Sequence, residues 1–215
     1  MLDNSIINPY IRVAMQSILR NGSKIARRII FDYELIYIAN GEFILNYNET
    51  DYRCTEGQFI LLRPGISHSF NVSDADLSQP HIHFDITHIS DSRQVPVCFK
   101  DLNELGVEER KLIREDIFRQ YPQKPFVIFS DHQAALEIFY TIVNHPNPSS
   151  LTQKGLLIRL IDMLIEDNFP EIFVDNTESI YSMEEQVKDY LDANQGLTSN
   201  LDDIAKHFNY SKCHL

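Results

Sequence analysis

The chain has no tryptophan, three cysteines, 19 basic residues against 31 acidic ones, and no apolar run near the roughly 18 residues of a membrane span. Each shortage excludes something. Cys54, Cys98 and Cys213 are odd in number and lack metal-type spacing, so neither a disulfide framework nor a zinc knuckle is expected. Reduced thiols fit a cytoplasmic protein. The opening "MLDNSIINPYIRVAMQSI" has no basic stretch leading into an apolar one, so no secretory leader and no membrane association are expected. A net charge of −12 predicts a surface that repels nucleic acid, whose binders gain affinity by neutralising phosphates. Neither a phosphate-cradling glycine loop nor a Ser/His/Asp arrangement is present, and no internal repeat or low-complexity tract interrupts the chain.

What is there is enough apolar residue, 43%, to build a core within 215 residues, as one large domain or two modest ones. From about Arg28 to Ile89 the texture is that of strands. "IIFDYELIYIANGEFILNYNETDYRCTEGQFILLRPGISHSF" alternates short apolar runs with turn signals at Asn40-Gly41, at 48–51, at 55–57 and at Pro64-Gly65. Asn-Gly predicts a hairpin, because both turn positions tolerate positive φ. "PHIHFDITHI", 80–89, reads as a further strand with His81, His83 and Asp85 on one face and Ile82, Phe84 and Ile86 on the other.

Helical spacing takes over after about residue 100. "SDHQAALEIFYTIVNH", 130–145, carries a wide apolar stripe, with Ser130 or Asp131 to cap it and Pro146 to stop it. "SLTQKGLLIRLIDMLIEDNF", 150–169, has a broad seam of Leu156, Leu157, Leu160, Ile161, Leu164 and Ile165. That seam is wider than one neighbour needs. It serves either an isologous helix pair, making this the dimerisation element of a homodimer, or the covering of a barrel and the neighbouring helix. A shorter helix is predicted over 104–120, a linker over 171–182, and a helix over 183–196.

The spacing of polar groups in the strand region has a pattern of its own. Glu34 precedes Gly41 by seven residues, and Gly57, "FILL", Pro64-Gly65 and His68 follow in order. These motifs resemble the two halves of a cupin, a double-stranded β-helix barrel whose mouth often holds a metal through a His-x-His pair, the glutamate and the later histidine. Here the pair is missing upstream of Glu34, where "ARRIIF" puts Arg27 and Arg28. His81-x-His83 lies on a different strand. With two of the expected ligands left, neither a metal nor any other cofactor is expected, since a site needs at least three protein ligands. The barrel is expected instead to hold a small organic molecule, with Arg28, Glu34, His68 and His83 at its mouth. Arg28 then either balances Glu34 or grips the ligand; His68 is alternatively a rim turn histidine.

The last residues, "LDDIAKHFNYSKCHL", have helix-turn-helix spacing. Leu201, Ile204, Ala205 and Phe208 share one side, Asn209-Tyr210 form the turn, and Ser211 caps a second helix. Together with "YELIYIANGEFIL", "EGQFILLRPGISHSF" and "HIHFDI", this tail resembles the arabinose-regulator (AraC/XylS-type) family of bacterial transcription factors. The resemblance implies an α+β fold: an N-terminal cupin-like β-barrel over 1–100, a helical dimerisation segment over 101–170, the linker, and a truncated first helix-turn-helix over 183–215. It implies a small-molecule effector, with sugars among the candidates. It implies promoter DNA as the partner of the whole regulator, with Ser211, Lys212 and His214 nearest the DNA. It also implies an N-terminal segment, Tyr10 and Arg12 included, that closes over the barrel mouth; the alternative is an ordinary edge strand. No activity as an enzyme is expected, and the competing class is a metal-dependent cupin isomerase or dioxygenase of a small polar substrate. Residues 183–215 are themselves acidic, so the 215-residue chain is expected not to bind DNA sequence-specifically.

Overall fold

Period-two alternation in the first half of the chain is realised as strands, and the computed structural model describes residues 4–145, 147, 150–170, 172, 188 and 190. The strands are β1 (Tyr10–Met15), β2 (Ile18–Leu19), β3 (Lys24–Arg28), β4 (Tyr33–Tyr37), β5 (Glu42–Tyr47), β6 (Thr50–Thr55), β7 (Phe59–Leu62), β8 (His68–Val72), β9 (Leu77–Ser78) and β10 (His81–Asp85). After them come the short helix α1 (Val107–Arg110), strand β11 (Phe126–Val127), and helices α2 (His132–Val143) and α3 (Leu151–Asn168). Contacts divide the chain into two units, residues 1–173 and 174–215. The expected helix-turn-helix, with Ser211, Lys212 and His214, lies outside the described residues; Lys188 and Tyr190 are helical.

Two antiparallel sheets form a cupin-like β-sandwich. One runs β1-β10-β4-β7-β11 and the other β3-β8-β5-β6, with β2-β9 as a small pair beside them. Between the sheets, Ile36, Ile60 and Leu62 of the first meet Phe43, Leu45, Tyr47, Phe70 and Val72 of the second. The opposite face of the first sheet, with Ile11, Tyr33, Leu35, Phe59, Leu61, Ile82 and Phe84, is covered by α2 and α3. Each large side chain removed from water in this way contributes about 1.5–3 kcal/mol.

The helices follow their sequence signals closely. Asp131 caps α2 by accepting from the Ala134 amide at 3.0 Å, and Ser150 caps α3 through Gln153. Leu157, Leu160, Ile161 and Leu164 are buried in the same cluster as the sheet and α2, so the protomer's own core uses the α3 seam.

Two local expectations fail for identifiable reasons. Asn40-Gly41 does not join a hairpin: β4 pairs with β10 and β7, whereas β5 pairs with β6 and β8, so the turn carries the chain from one sheet to the other. Gly41 has φ +90°, and a Cβ there would lie 2.8 Å from the Asp76 carbonyl oxygen, so glycine answers a close approach. The true two-residue hairpin is Asn48-Glu49, both with positive φ (48° and 66°), between the paired Tyr47 and Thr50. The helix expected over 104–120 is confined to Val107–Arg110. Beyond it, peptide groups bond the barrel instead: the Arg114 amide donates to the Phe31 carbonyl (2.7 Å) and the Ile117 amide to the Tyr33 hydroxyl (2.8 Å). Asp116 accepts from that hydroxyl at 3.1 Å and lies 3.5 Å from buried Arg63, which pins the segment in place.

Candidate functional site

Strand β10 lies beside β4, and the register puts His83 directly opposite Glu34. Because alternate residues share a face, His81 projects with His83, while Ile82 and Phe84 turn to the helices. Side-chain donor atoms of Glu34, His81 and His83 all lie within 4.8 Å of one another, a spacing that could hold a metal ion. From the other sheet come Arg28 and His68, cross-strand partners on β3 and β8. Glu34 feels His83, His81, Arg28 and His68 together, so both walls converge on one charge cluster.

The chemistry of each group follows from its surroundings. Nδ1 of His68 donates to the Ile66 carbonyl at 3.1 Å, Nδ1 of His81 to the Gln79 carbonyl at 3.3 Å, and Nδ1 of His83 to Asp32 Oδ1 at 3.1 Å. All three acceptors lack a proton to give, so each ring keeps its Nδ1 proton and leaves Nε2 as the free nitrogen. Burial holds His68 down to about 4 and lowers His81, so both are neutral imidazoles. Burial also opposes protonation of His83, yet the carboxylates of Glu34 and Asp32 outweigh it and raise that group. Burial disfavours the Glu34 carboxylate, but His83, His81, Arg28 and His68 together outweigh it and hold it below the usual range. His83 Nε2 is 3.5 Å from Glu34 Oε1. Glu34 Oε2 and His68 Nε2 are buried with no hydrogen-bond partner, and so is Arg28 Nε.

All five residues expected at the mouth, Arg12, Arg28, Glu34, His68 and His83, lie in or against this cluster. Of the two roles expected for Arg28, an ion pair with Glu34 is absent among the described residues, and the Arg28 guanidinium lies over the Phe99 ring, 5.6 Å from its centroid. Glu34 is balanced by His83 instead. Arg12 sits on β1, which is an edge strand, and an irregularity between Ile11 and Val13 re-aims it. Its Nη1 is 3.2 Å from Asp32 Oδ2, and its Nη2 donates to the Val95 carbonyl. Arg12, Phe31, Asp32, His83, Pro96 and Val97 thus line a cleft of only about 20 Å³, one side of it a strap of residues 95–98 that Arg12 holds at Val95.

Sequence reasoning placed His81 on the right face without giving it a role, and it missed Asp32 and the 95–98 strap. Strand alternation revealed the first. Asp32 stands outside any strand, and its partners are distant in sequence, so nothing local marks it.

Residues 20–127 match the family described as AraC-like ligand binding domain. This chain belongs to the AraC family. A curated relative, an uncharacterized HTH-type transcriptional regulator, YisR, from Bacillus subtilis (strain 168), is 31% identical over 78 residues. That match takes in 36% of this chain and 27% of the relative, so the AraC-family chain spans about a quarter of the relative's length. Among solved structures, a predicted oxalate decarboxylase from Thermotoga maritima aligns at 24% identity over 34% of this chain and 65% of that one, with a TM-score of 0.32. The Cnp3 cupin domain of Schizosaccharomyces pombe aligns at 14% identity over 32% of this chain and 51% of that one, at 0.30. Among the described residues no helix is long and apolar enough to cross a membrane.

Proposed function

We propose that this chain is the effector-sensing part of a ligand-responsive transcription regulator, and that it is not an enzyme. One observation carries the reading: Arg28, Glu34, His68, His81 and His83 converge from two sheets on one buried cluster, within the segment that matches AraC-like ligand binding domains. Buried polar atoms without partners cost free energy unless something satisfies them, and a polar metabolite can supply the missing bonds. An effector that binds one arrangement of the sensor better than another shifts the balance between them. The output is promoter binding in the cytoplasm, and residues 183–215 contribute to the DNA-binding part.

The regulator acts as a homodimer through the helix expected over 150–169. Its inner seam is already spent on the barrel, so pairing falls to the outer face of α3. There Gly155 and Ile158, with Arg159 and Asp162, line a groove of about 610 Å³.

A thermal-shift screen of sugars, organic acids and small nitrogenous metabolites tests the sensor. A true effector raises Tm in the wild type and loses most of that effect in Glu34→Ala and His68→Ala. Unchanged stabilisation in both variants would place the effector elsewhere and sink the reading. A second reading, a metal-dependent cupin isomerase or dioxygenase of a small polar substrate, is favoured by the approach of Glu34, His81 and His83. Turnover of such substrates by metal-loaded protein, without any effect on promoter binding, would select it.

A further inference from the structure

We propose that Glu34, His81 and His83 form a binding site for a divalent first-row transition ion. The inference rests on the sensor reading only in sharing its residues.

The ligand set argues first. Two imidazoles and one carboxylate lie within 4.8 Å of one another without any imposed movement of the backbone. That composition suits zinc, iron, cobalt, nickel or manganese in the divalent state, and the two nitrogen donors disfavour magnesium and calcium. The pair comes from β10, after the Pro64-Gly65 half of the barrel, and not from the strand preceding Glu34, where Arg27 and Arg28 stand. A three-ligand site is therefore rebuilt from a different wall.

The second argument is orientation. Metal-binding histidines usually donate their other ring N–H to a carbonyl or carboxylate, which fixes the tautomer and aims the free lone pair. His81 does so to Gln79 and His83 to Asp32, whose other oxygen is held by Arg12. The third argument is the imbalance of partners. Glu34 Oε2 is buried and accepts no hydrogen bond, and Oε1 lies 3.5 Å from His83 Nε2. A divalent ion could take the place of the proton between His83 and Glu34 and engage the unpartnered oxygen as well. His68 adds one more unpartnered Nε2 in the same cluster.

Arg28 works against a bare cation and in favour of one that carries an anion. Its charge acts on Glu34, His81 and His83, and its Nε has no acceptor. An oxygen-bearing anionic co-ligand would meet the ion, Arg28 and His68 together.

The test uses the chain as it is, stripped with chelator and titrated with Co²⁺ and Zn²⁺ by calorimetry and by cobalt absorption. One equivalent per chain is expected, with Mg²⁺ silent. Glu34→Gln and His81→Asn/His83→Asn should each weaken binding on the order of 100-fold or more, and Asp32→Asn about 10–100-fold through loss of ring orientation. In case the variants misfold, X-ray absorption on zinc-loaded wild type reads the same site directly. It should give imidazole and oxygen donors at about 2.0–2.2 Å and no sulfur. Absence of stoichiometric binding, a sulfur donor, or binding that survives in folded Glu34→Gln and His81→Asn/His83→Asn overturns the proposal. No promoter or organic effector enters the assay, so a failure of the regulator reading leaves its outcome unaffected.

Discussion

Strands β4 and β10 carry two faces that differ in almost every respect. Outward, Tyr33, Leu35, Ile82 and Phe84 meet α2 and α3, and each is about 1% exposed or less. Inward, Glu34, His81 and His83 meet one another, and polar atoms are left without partners. The outer face is closed chemistry: apolar surface against apolar surface, with nothing owed. The inner face is open chemistry, buried too (3% exposed at Glu34, 8% at His83, 9% at His81) but unsatisfied. A fold that tolerates the second does so on the strength of the first, since polar burial costs free energy that apolar packing must offset.

Substitution can break that contrast, starting where the effect is largest. Phe84→Ala removes a ring stacked on Tyr33 (centroids 5.7 Å apart) and should cost about 3–5 kcal/mol in chemical denaturation. Conservative changes on the inner face should cost far less. Glu34→Gln is expected to move stability by no more than ~1 kcal/mol, because His83 can shed its proton once its carboxylate partner is gone and no uncompensated charge stays buried. The same variant should lose the stabilisation conferred by effector or metal. If Glu34→Gln destabilised as much as Phe84→Ala, the inner cluster would be part of the scaffold and the contrast would dissolve.

The helix α3 offers the same comparison in miniature. Leu160 is 1% exposed and Ile158 is 39% exposed on the same helix. Leu160→Lys should unfold the barrel unit. Ile158→Lys should leave stability within about 0.5 kcal/mol and yet lower the mass seen by light scattering from dimer to monomer. The smallest expected effect is at the tight hairpin. Glu49 holds φ 66°, so Glu49→Gly should stabilise by roughly 0.5–1 kcal/mol, despite loss of the exposed pair with Arg27 (3.5 Å).

The sequence exposed these elements unevenly. Alternation in "HIHFD" separated His81 and His83 from Ile82 and Phe84, and that separation is what the two faces embody. Helices α2 and α3 were legible because apolar spacing, caps and a terminating proline agreed. Asn40-Gly41 has the sequence of a hairpin turn, yet its glycine answers the carbonyl of Asp76. Residues 104–120 looked helical by composition, but their amides are claimed by Phe31 and Tyr33, partners far away in sequence. The approach of Glu34 to His81 and His83 is hidden from the sequence for the same reason. Local pattern gives a residue's face, and only strand order says that β10 lies next to β4.

Arg12 has a mechanical role that follows from its three attachments. It belongs to β1, which rests on α3; it grips Asp32, which steadies His83; and it holds the carbonyl of Val95 in the 95–98 strap. A guest that drew the Asp32 carboxylate aside would therefore slacken the hold of Arg12 on the edge strand and on Val95 together.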